Sequence, residues 1–226
     1  MAAPLKIIVT GACGALGTAV SDALAAEGHK VAGFCSRTVE PRSGFTPVQV
    51  GDIADPAEAQ RAVTEAAGAL GGVDALVCIA GGFVWETIAD GAFETWQNMF
   101  DANLKTALAA SLAALPRLPD GAGRIVMIGA AAAQPAGTGM GAYAASKSAV
   151  ARLVESLADE LKPRKINVNA VLPSIIDTPA NRRDMPDADP SDWVGPSAIA
   201  DVIGFLVSNR SRAITGALIP VTQPGA

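Results

Sequence analysis

Leu5-Lys6-Ile7-Ile8-Val9-Thr10-Gly11-Ala12-Cys13-Gly14-Ala15-Leu16-Gly17 is the stretch whose reading sets the architecture. Its first five residues make a short apolar run, the pattern of a strand buried on both faces. Glycines follow at 11, 14 and 17, and a helical periodicity runs from Leu16 to Gly28. Glycines let a backbone approach a pyrophosphate closely, and a helix N-terminus offers free N–H groups and the positive end of its dipole. A Gly-rich segment alone could be a plain turn. Its place between a first strand and a first helix is the context that a dinucleotide site requires.

The alternation continues outward from there. Strands are predicted at Lys30–Cys35, Thr46–Val50, Val73–Ile79, Arg124–Ile128, Ile166–Val171 and Ala217–Val221. Helices are predicted from Asp55-Pro56 to Leu70, from Phe93 to Leu115 (stopped by Pro116), from Tyr143 to Lys162 (stopped by Pro163), and up to Asn209. A polar, Pro-rich excursion fills Asp177 to Pro196. Short apolar strands alternating with helices predict one α/β domain over residues 1–226: a Rossmann-type, doubly wound parallel sheet with helices on both faces. Ligands should then lie outside the carboxyl ends of the strands.

Composition narrows the function. The net charge is −5 and no basic stripe is present, so nucleic acid is not an expected partner. Arg182-Arg183, the best basic run, reads as a solvated loop. No apolar stretch reaches spanning length, and Met1-Ala2-Ala3-Pro4 does not open a secretion signal. The three cysteines, Cys13, Cys35 and Cys78, have neither zinc spacing nor the density of a disulfide framework; a reducing cytoplasm is the simplest reading, with Cys13 a small loop residue. The single histidine, His29, sits at a helix end, where a solvent-facing or capping role is expected, so a histidine triad and a metal site are both excluded.

Two further places carry chemistry. After the second strand come Cys35, Ser36 and Arg37, where NAD sites usually place an acid on the ribose 2′-hydroxyl. A cation and a hydroxyl there favour NADP(H) over NAD(H), because Arg37 can pair with a 2′-phosphate. Tyr143 and Lys147, four apart at a helix start, share a face. A nearby ammonium favours phenolate over phenol, so Lys147 is expected to lower the Tyr143 pKa and fit it for proton transfer.

Together these features resemble the short-chain dehydrogenase/reductase family along nearly the whole chain. The matching residues are the Gly-rich turn, Asp52, Ala80-Gly81, Asn103, Tyr143 and Lys147, Pro173 to Thr178, and Ile214-Thr215-Gly216. The resemblance implies cofactor contacts from Gly11, Cys13, Gly14, Ala15, Leu16, Gly17, Ser36, Arg37, Asp52, Ile53, Ala80, Gly81, Lys147, Pro173, Ile176 and Thr178. It implies that Asp52 meets the adenine, that Thr178 meets the carboxamide or phosphates, and that Lys147 also binds the nicotinamide ribose. It implies catalysis by Tyr143, Lys147 and Asn103, the last holding a water in a relay to Lys147. The product is an NAD(P)H-dependent oxidoreductase acting on a small-molecule substrate. The helices that carry Asn103 and Tyr143 are apolar enough to pack on sister subunits, so a homodimer or homotetramer is expected.

Three departures stand out. Ile79 replaces the usual asparagine before Ala80-Gly81, and Ala15 replaces a glycine. The serine that normally polarises the substrate, thirteen residues before the tyrosine, is Ala130. Losing one such donor costs roughly 100- to 1000-fold in rate. Either Gln134 or Ser174 supplies the bond, or the substrate is no ordinary ketone, or catalysis is lost. Within the family the chain is most similar to dihydropteridine reductase, which also lacks the serine; a quinonoid dihydropteridine spreads its electron sink over a ring. That enzyme carries an acid where Cys35 stands and lacks an asparagine at the position of Asn103. Trp85 and Trp193 are candidate substrate-stacking residues, and Trp96 is read as helix packing.

Overall fold

In the computed structural model, which describes residues 3–223, a single seven-stranded sheet is built from β1 (Lys6–Thr10), β2 (Lys30–Cys35), β3 (Phe45–Gln49), β4 (Ala75–Cys78), β5 (Arg124–Ile128), β6 (Asn167–Pro173) and β7 (Leu218–Val221). Met1 and Ala2, at the start of the stretch read above for a secretion signal, lie outside these residues. The strand order is β3-β2-β1-β4-β5-β6-β7 and every pairing is parallel. Parallel neighbours need crossovers, and here these are α1 (Ala15–Ala26), α2 (Pro56–Leu70), α3 (Phe93–Phe100) running into α4 (Thr106–Ala114), α5 (Gly141–Glu160), and α7 (Pro196–Val207). The order reverses between β1 and β4, which opens a crevice at their carboxyl ends.

Two apolar layers enclose the sheet. Val20 and Leu24 of α1 and Ile199, Ile203 and Leu206 of α7 cover one face. Alanines of α2 and α4, with Val150, Val154 and Leu157 of α5, cover the other. Small side chains let these helices lie close to the strands, and that closeness is the structural use of the alanine-rich composition.

The predicted strands and helices are present, with ends displaced by at most two residues. The helix predicted from Phe93 to Leu115 has an interruption that periodicity does not reveal: a π-helical turn at Asp101–Lys105. The excursion between β6 and α7 contains a short helix, α6 (Pro179–Asp184), and returns to the fold through a bridge from Ile176 to Val194. Ile214-Thr215-Gly216 has structural work: Thr215 Oγ1 accepts from the Val168 N–H and the Gly216 N–H donates to Val168 O, which sets β7 against β6. His29 is not solvent-facing. Its Nδ1 accepts the Leu5 N–H at 3.1 Å, so it secures the entry to β1.

Candidate active site

The nucleotide cradle forms where β1 turns into α1. Gly11 has φ +64°, and a Cβ there would lie 2.8 Å from the Ala80 backbone nitrogen. At Gly17 a Cβ would come within 2.7 Å of Ala12 Cα. These two glycines therefore let the turn, the helix and the end of β4 close on one another. Thr10 Oγ1 completes the seam by accepting the N–H groups of Ile79 and Ala80, each at 3.1 Å. Gly14 caps α1 without a side-chain hydrogen bond, the first turn holds no acid, and Gly14 and Ala15 are exposed. The uncapped N–H groups thus suit an anion. Leu16 and Gly17 are buried beneath them, so they shape the cradle without lining it.

At the end of β2, Ser36 and Arg37 are exposed, and Arg37 Nη2 reaches Cys13 O at 3.4 Å. The cation therefore leans over the Gly-rich turn. Asp52 is exposed and accepts the Ala54 N–H at 2.9 Å, while Ile53 is buried beside it. One expectation is overturned here. Cys13 and Cys35 are joined as a disulfide across the cradle, with Cα atoms 5.4 Å apart. The wide spacing in sequence hid the pair, because β1 and β2 lie side by side. Cys78 remains a free thiol, buried and pushed up to about 12 by that burial.

Tyr143 and Lys147 occupy the first turns of α5. Lys147 is 6% exposed, and its Nζ donates to Ile128 O at 2.9 Å. A Cβ at Gly81 would lie 2.5 Å from Asn103 Oδ1 and 3.4 Å from Lys147 Nζ, so Gly81, Asn103 and Lys147 converge on one space at the end of β4. A side chain at 81 would clash with Asn103, so glycine there lets Asn103 and Lys147 close on the end of β4. Asn103, 1% exposed on the π-helical turn, donates to Gly82 O (3.1 Å) and Ser146 Oγ (3.0 Å) and accepts the Gly82 N–H (3.1 Å). Ser146 Oγ in turn donates to Tyr143 O at 2.7 Å. Sequence reasoning missed Ser146 as a link, although its place three residues after Tyr143, beside a motif already singled out, was a usable signal.

Burial controls both proton affinities. It pushes the Tyr143 phenol up to about 12 and brings the Lys147 ammonium down to about 8. The expected lowering of Tyr143 by Lys147 is therefore not found: the loss of water around the phenol outweighs it.

Ala130 is 5% exposed, just beyond the end of β5, and brings no hydroxyl of its own there. With Gln134, Lys147, Ser148 and Leu172 it lines a cavity of about 210 Å³. Among the described residues, Ser174 Oγ is buried without a partner. Phe83 meets the Tyr143 ring edge-on, with centroids 4.9 Å apart at 84°. Trp85 is 59% exposed and rests against Gly139. Trp193 is 6% exposed, which overturns its candidacy as an open stacking surface: the excursion folds it inward. Trp96 packs on Gly141 at the start of α5. Pro173 ends β6, Ile176 is half-buried, and Thr178 caps α6 by accepting the Asn181 N–H. Among the described residues no cluster of His, Cys, Asp or Glu could hold a metal ion, and no helix is long and apolar enough to cross a membrane.

Residues 6–189 match the family described as short chain dehydrogenase. The chain belongs to that family. It is thus an oxidoreductase of the NAD(P)-dependent kind, and the exposed, acid-free N-terminus of α1 fits such a dinucleotide. Among relatives, the 3-oxoacyl-(acyl-carrier-protein) reductase MabA of Mycobacterium tuberculosis is 31% identical over 96% of this chain and 90% of its own. Glucose 1-dehydrogenase of Gluconobacter oxydans is 31% identical over 93% and 88%. Among solved structures, a blue fluorescent protein from a metagenomic library, in complex with NADPH, has a TM-score of 0.84 at 30% identity, covering 96% of each chain. These relatives carry other activities than dihydropteridine reduction, so membership of the family does not extend to that substrate.

Proposed function

We propose that this short-chain dehydrogenase uses NADPH to reduce a flat, conjugated acceptor of the quinonoid dihydropteridine type. The observation that carries the reading is the buried alanine at 130, in a site that keeps Tyr143, Lys147 and Asn103. A ketone concentrates developing charge on one oxygen and needs a donor there. A conjugated ring spreads the charge and depends less on that donor. Phe83, set against Tyr143, and the exposed Trp85 offer aromatic surface to such a ring.

When bound, the nicotinamide supplies the hydride. The Ala15 N–H at the head of α1 would hold the pyrophosphate, Arg37 and Ser36 would meet the 2′-phosphate, and Asp52 would meet the adenine. Lys147 would hold the ribose, and Pro173, Ile176 and Thr178 would border the nicotinamide. Tyr143 Oη, protonated throughout the neutral range, donates the proton. Asn103 and Ser146 hold the end of β4 and the first turn of α5 together, which keeps that hydroxyl in position. The enzyme works in the cytoplasm, where its cofactor is regenerated, as a homodimer or homotetramer.

A second reading keeps a carbonyl or alcohol substrate and assigns the missing hydrogen bond to Gln134, which shares the cavity with Ala130. The third alternative, a nucleotide-binding sensor without turnover, has no use for a proton donor. Cofactor oxidation with a quinonoid dihydropteridine, measured against a panel of ketones, separates the three. Tyr143→Phe should lower turnover by roughly 100- to 10,000-fold and leave NADPH affinity within twofold. Normal turnover by that variant would remove Tyr143 from the mechanism.

A further inference from the structure

We infer that Cys13 and Cys35 form a thiol–disulfide modification site that regulates cofactor binding. The inference rests on the reading of this turn as the NADPH cradle. Cys13 is half-buried in the turn between β1 and α1; Cys35 is the last residue of β2 and is fully buried. Their Cα separation of 5.4 Å lies within the range that a disulfide spans without backbone movement. The bond ties the Gly-rich turn to the strand end that carries Ser36 and Arg37. Two more contacts cross the same gap: the Ala12 N–H donates to Phe34 O at 3.1 Å, and Arg37 donates to Cys13 O. The Cys13 carbonyl thus meets the cation assigned to the 2′-phosphate, while its side chain forms the staple.

Opening the bond must disturb this arrangement. Bonded sulfurs lie about 2 Å apart, whereas two thiols settle at roughly 3.5–4 Å. Cys35 is enclosed by the core and cannot retreat, so the displacement falls on Cys13 and its turn. The stapled form presents the Ala15 N–H at the head of α1 already in place, with the turn beneath it closed by the Gly14 N–H on Gly11 O at 3.1 Å; the reduced form must order that turn when the ligand arrives. Reduction should therefore weaken cofactor binding, and by reciprocity bound cofactor should protect the disulfide.

The chemistry balances with a low-molecular-weight disulfide or dithiol as co-reactant. In oxidation, the Cys13 thiolate attacks the external disulfide and expels one thiolate, leaving a mixed disulfide on Cys13. The Cys35 thiolate then attacks the Cys13 sulfur and expels the second. Two electrons pass from the protein to the external disulfide, and the two protein protons go to the released thiolates. A dithiol reverses both steps. Cys78, buried and with its thiol pushed up to about 12, stands outside the exchange.

The test compares the whole protein after oxidised glutathione and after dithiothreitol. Thiol titration in denaturant, after the glutathione or dithiothreitol has been removed, should find one free thiol in the first and three in the second. The NADPH Kd, read by nucleotide fluorescence, should rise about tenfold on reduction, and saturating NADPH should raise the dithiothreitol midpoint. Cys13→Ser with Cys35→Ser should remove the redox dependence, whatever its absolute affinity. Three free thiols in the oxidised sample would overturn the pair. One free thiol with equal Kd values in both states would overturn the regulation and leave the cofactor reading standing. Binding of NADPH by neither state would overturn both.

Discussion

Tyr143 and Lys147 sit four residues apart on one helix, and burial drives their proton affinities in opposite directions. The phenol, pushed up to about 12, stays protonated across the neutral range, which is the state the proposed proton donor needs. The ammonium, brought down to about 8, is charged at neutral pH and loses its proton just above it. If that charge holds the cofactor ribose, kcat/KM for reduction should be level below pH 8 and fall about tenfold per pH unit above it. A profile that stays flat to pH 10 would show that the charge on Lys147 is not needed. Ala130 offers a second test on the same scale. Ala130→Ser restores a hydroxyl at the buried end of β5, and it should raise kcat/KM for simple ketones by roughly 100-fold while changing dihydropteridine reduction little. An equal gain on both substrates would contradict the ring-acceptor reading, since the hydroxyl would then matter to each.

The π-helical turn at Asp101–Lys105 is the element on which the site depends most and which the sequence disclosed least. A π-helical turn adds one residue to a helical turn and so redirects one side chain. Here Asn103 is the residue within it that bonds Gly82 on one side and Ser146 on the other. Periodicity marks where a helix runs, and the extra residue leaves the apolar pattern of Phe93 to Leu115 almost intact, so the interruption was not legible. The Gly-rich turn was legible because close approach admits only glycine at 11 and 17, and Tyr143 and Lys147 because their four-residue spacing is a direct statement about a helix face. The Cys13–Cys35 bond was not, since it depends on which strands become neighbours. Asn103→Ala tests the clamp. It leaves the Gly82 N–H and C=O without partners and removes the bond that Ser146 Oγ accepts, which should cost about 3 kcal/mol and lower Tm by roughly 6–12 °C. Turnover should fall with it, because the end of β4 and the Tyr143 turn lose their common anchor. A melt within 2 °C of the parent, on the order of the measurement's own scatter, would place the anchoring elsewhere.

At the level of the whole molecule, the outer surface of α4 leaves an apolar side chain in solvent. Leu112 is exposed there, and Lys105, Leu108 and Ala109 border a surface hollow shared with Asp52 and Pro56 at the start of α2. The helix is built of alanine, leucine, serine and threonine, so its outer face has little charge to keep it in water. The reading of the protein as a homodimer or homotetramer makes this face a contact between copies. Twofold symmetry presents the same patch from both partners, so each side chain is counted twice. Burying one leucine is worth roughly 1.5–3 kcal/mol, and the pair therefore about 3–6 kcal/mol, or two to four decades in the dimer Kd. Leu112→Arg replaces that gain with two like charges at the contact. The parent should elute with a mass of at least two chains in light-scattering chromatography at micromolar concentration, and the variant with half that mass or less, its far-UV circular dichroism unchanged. A parent that is monomeric at 50 µM, roughly the upper end of the concentrations at which weak dimers dissociate, or a Leu112→Arg variant that keeps the parent's mass, would remove α4 as the interface.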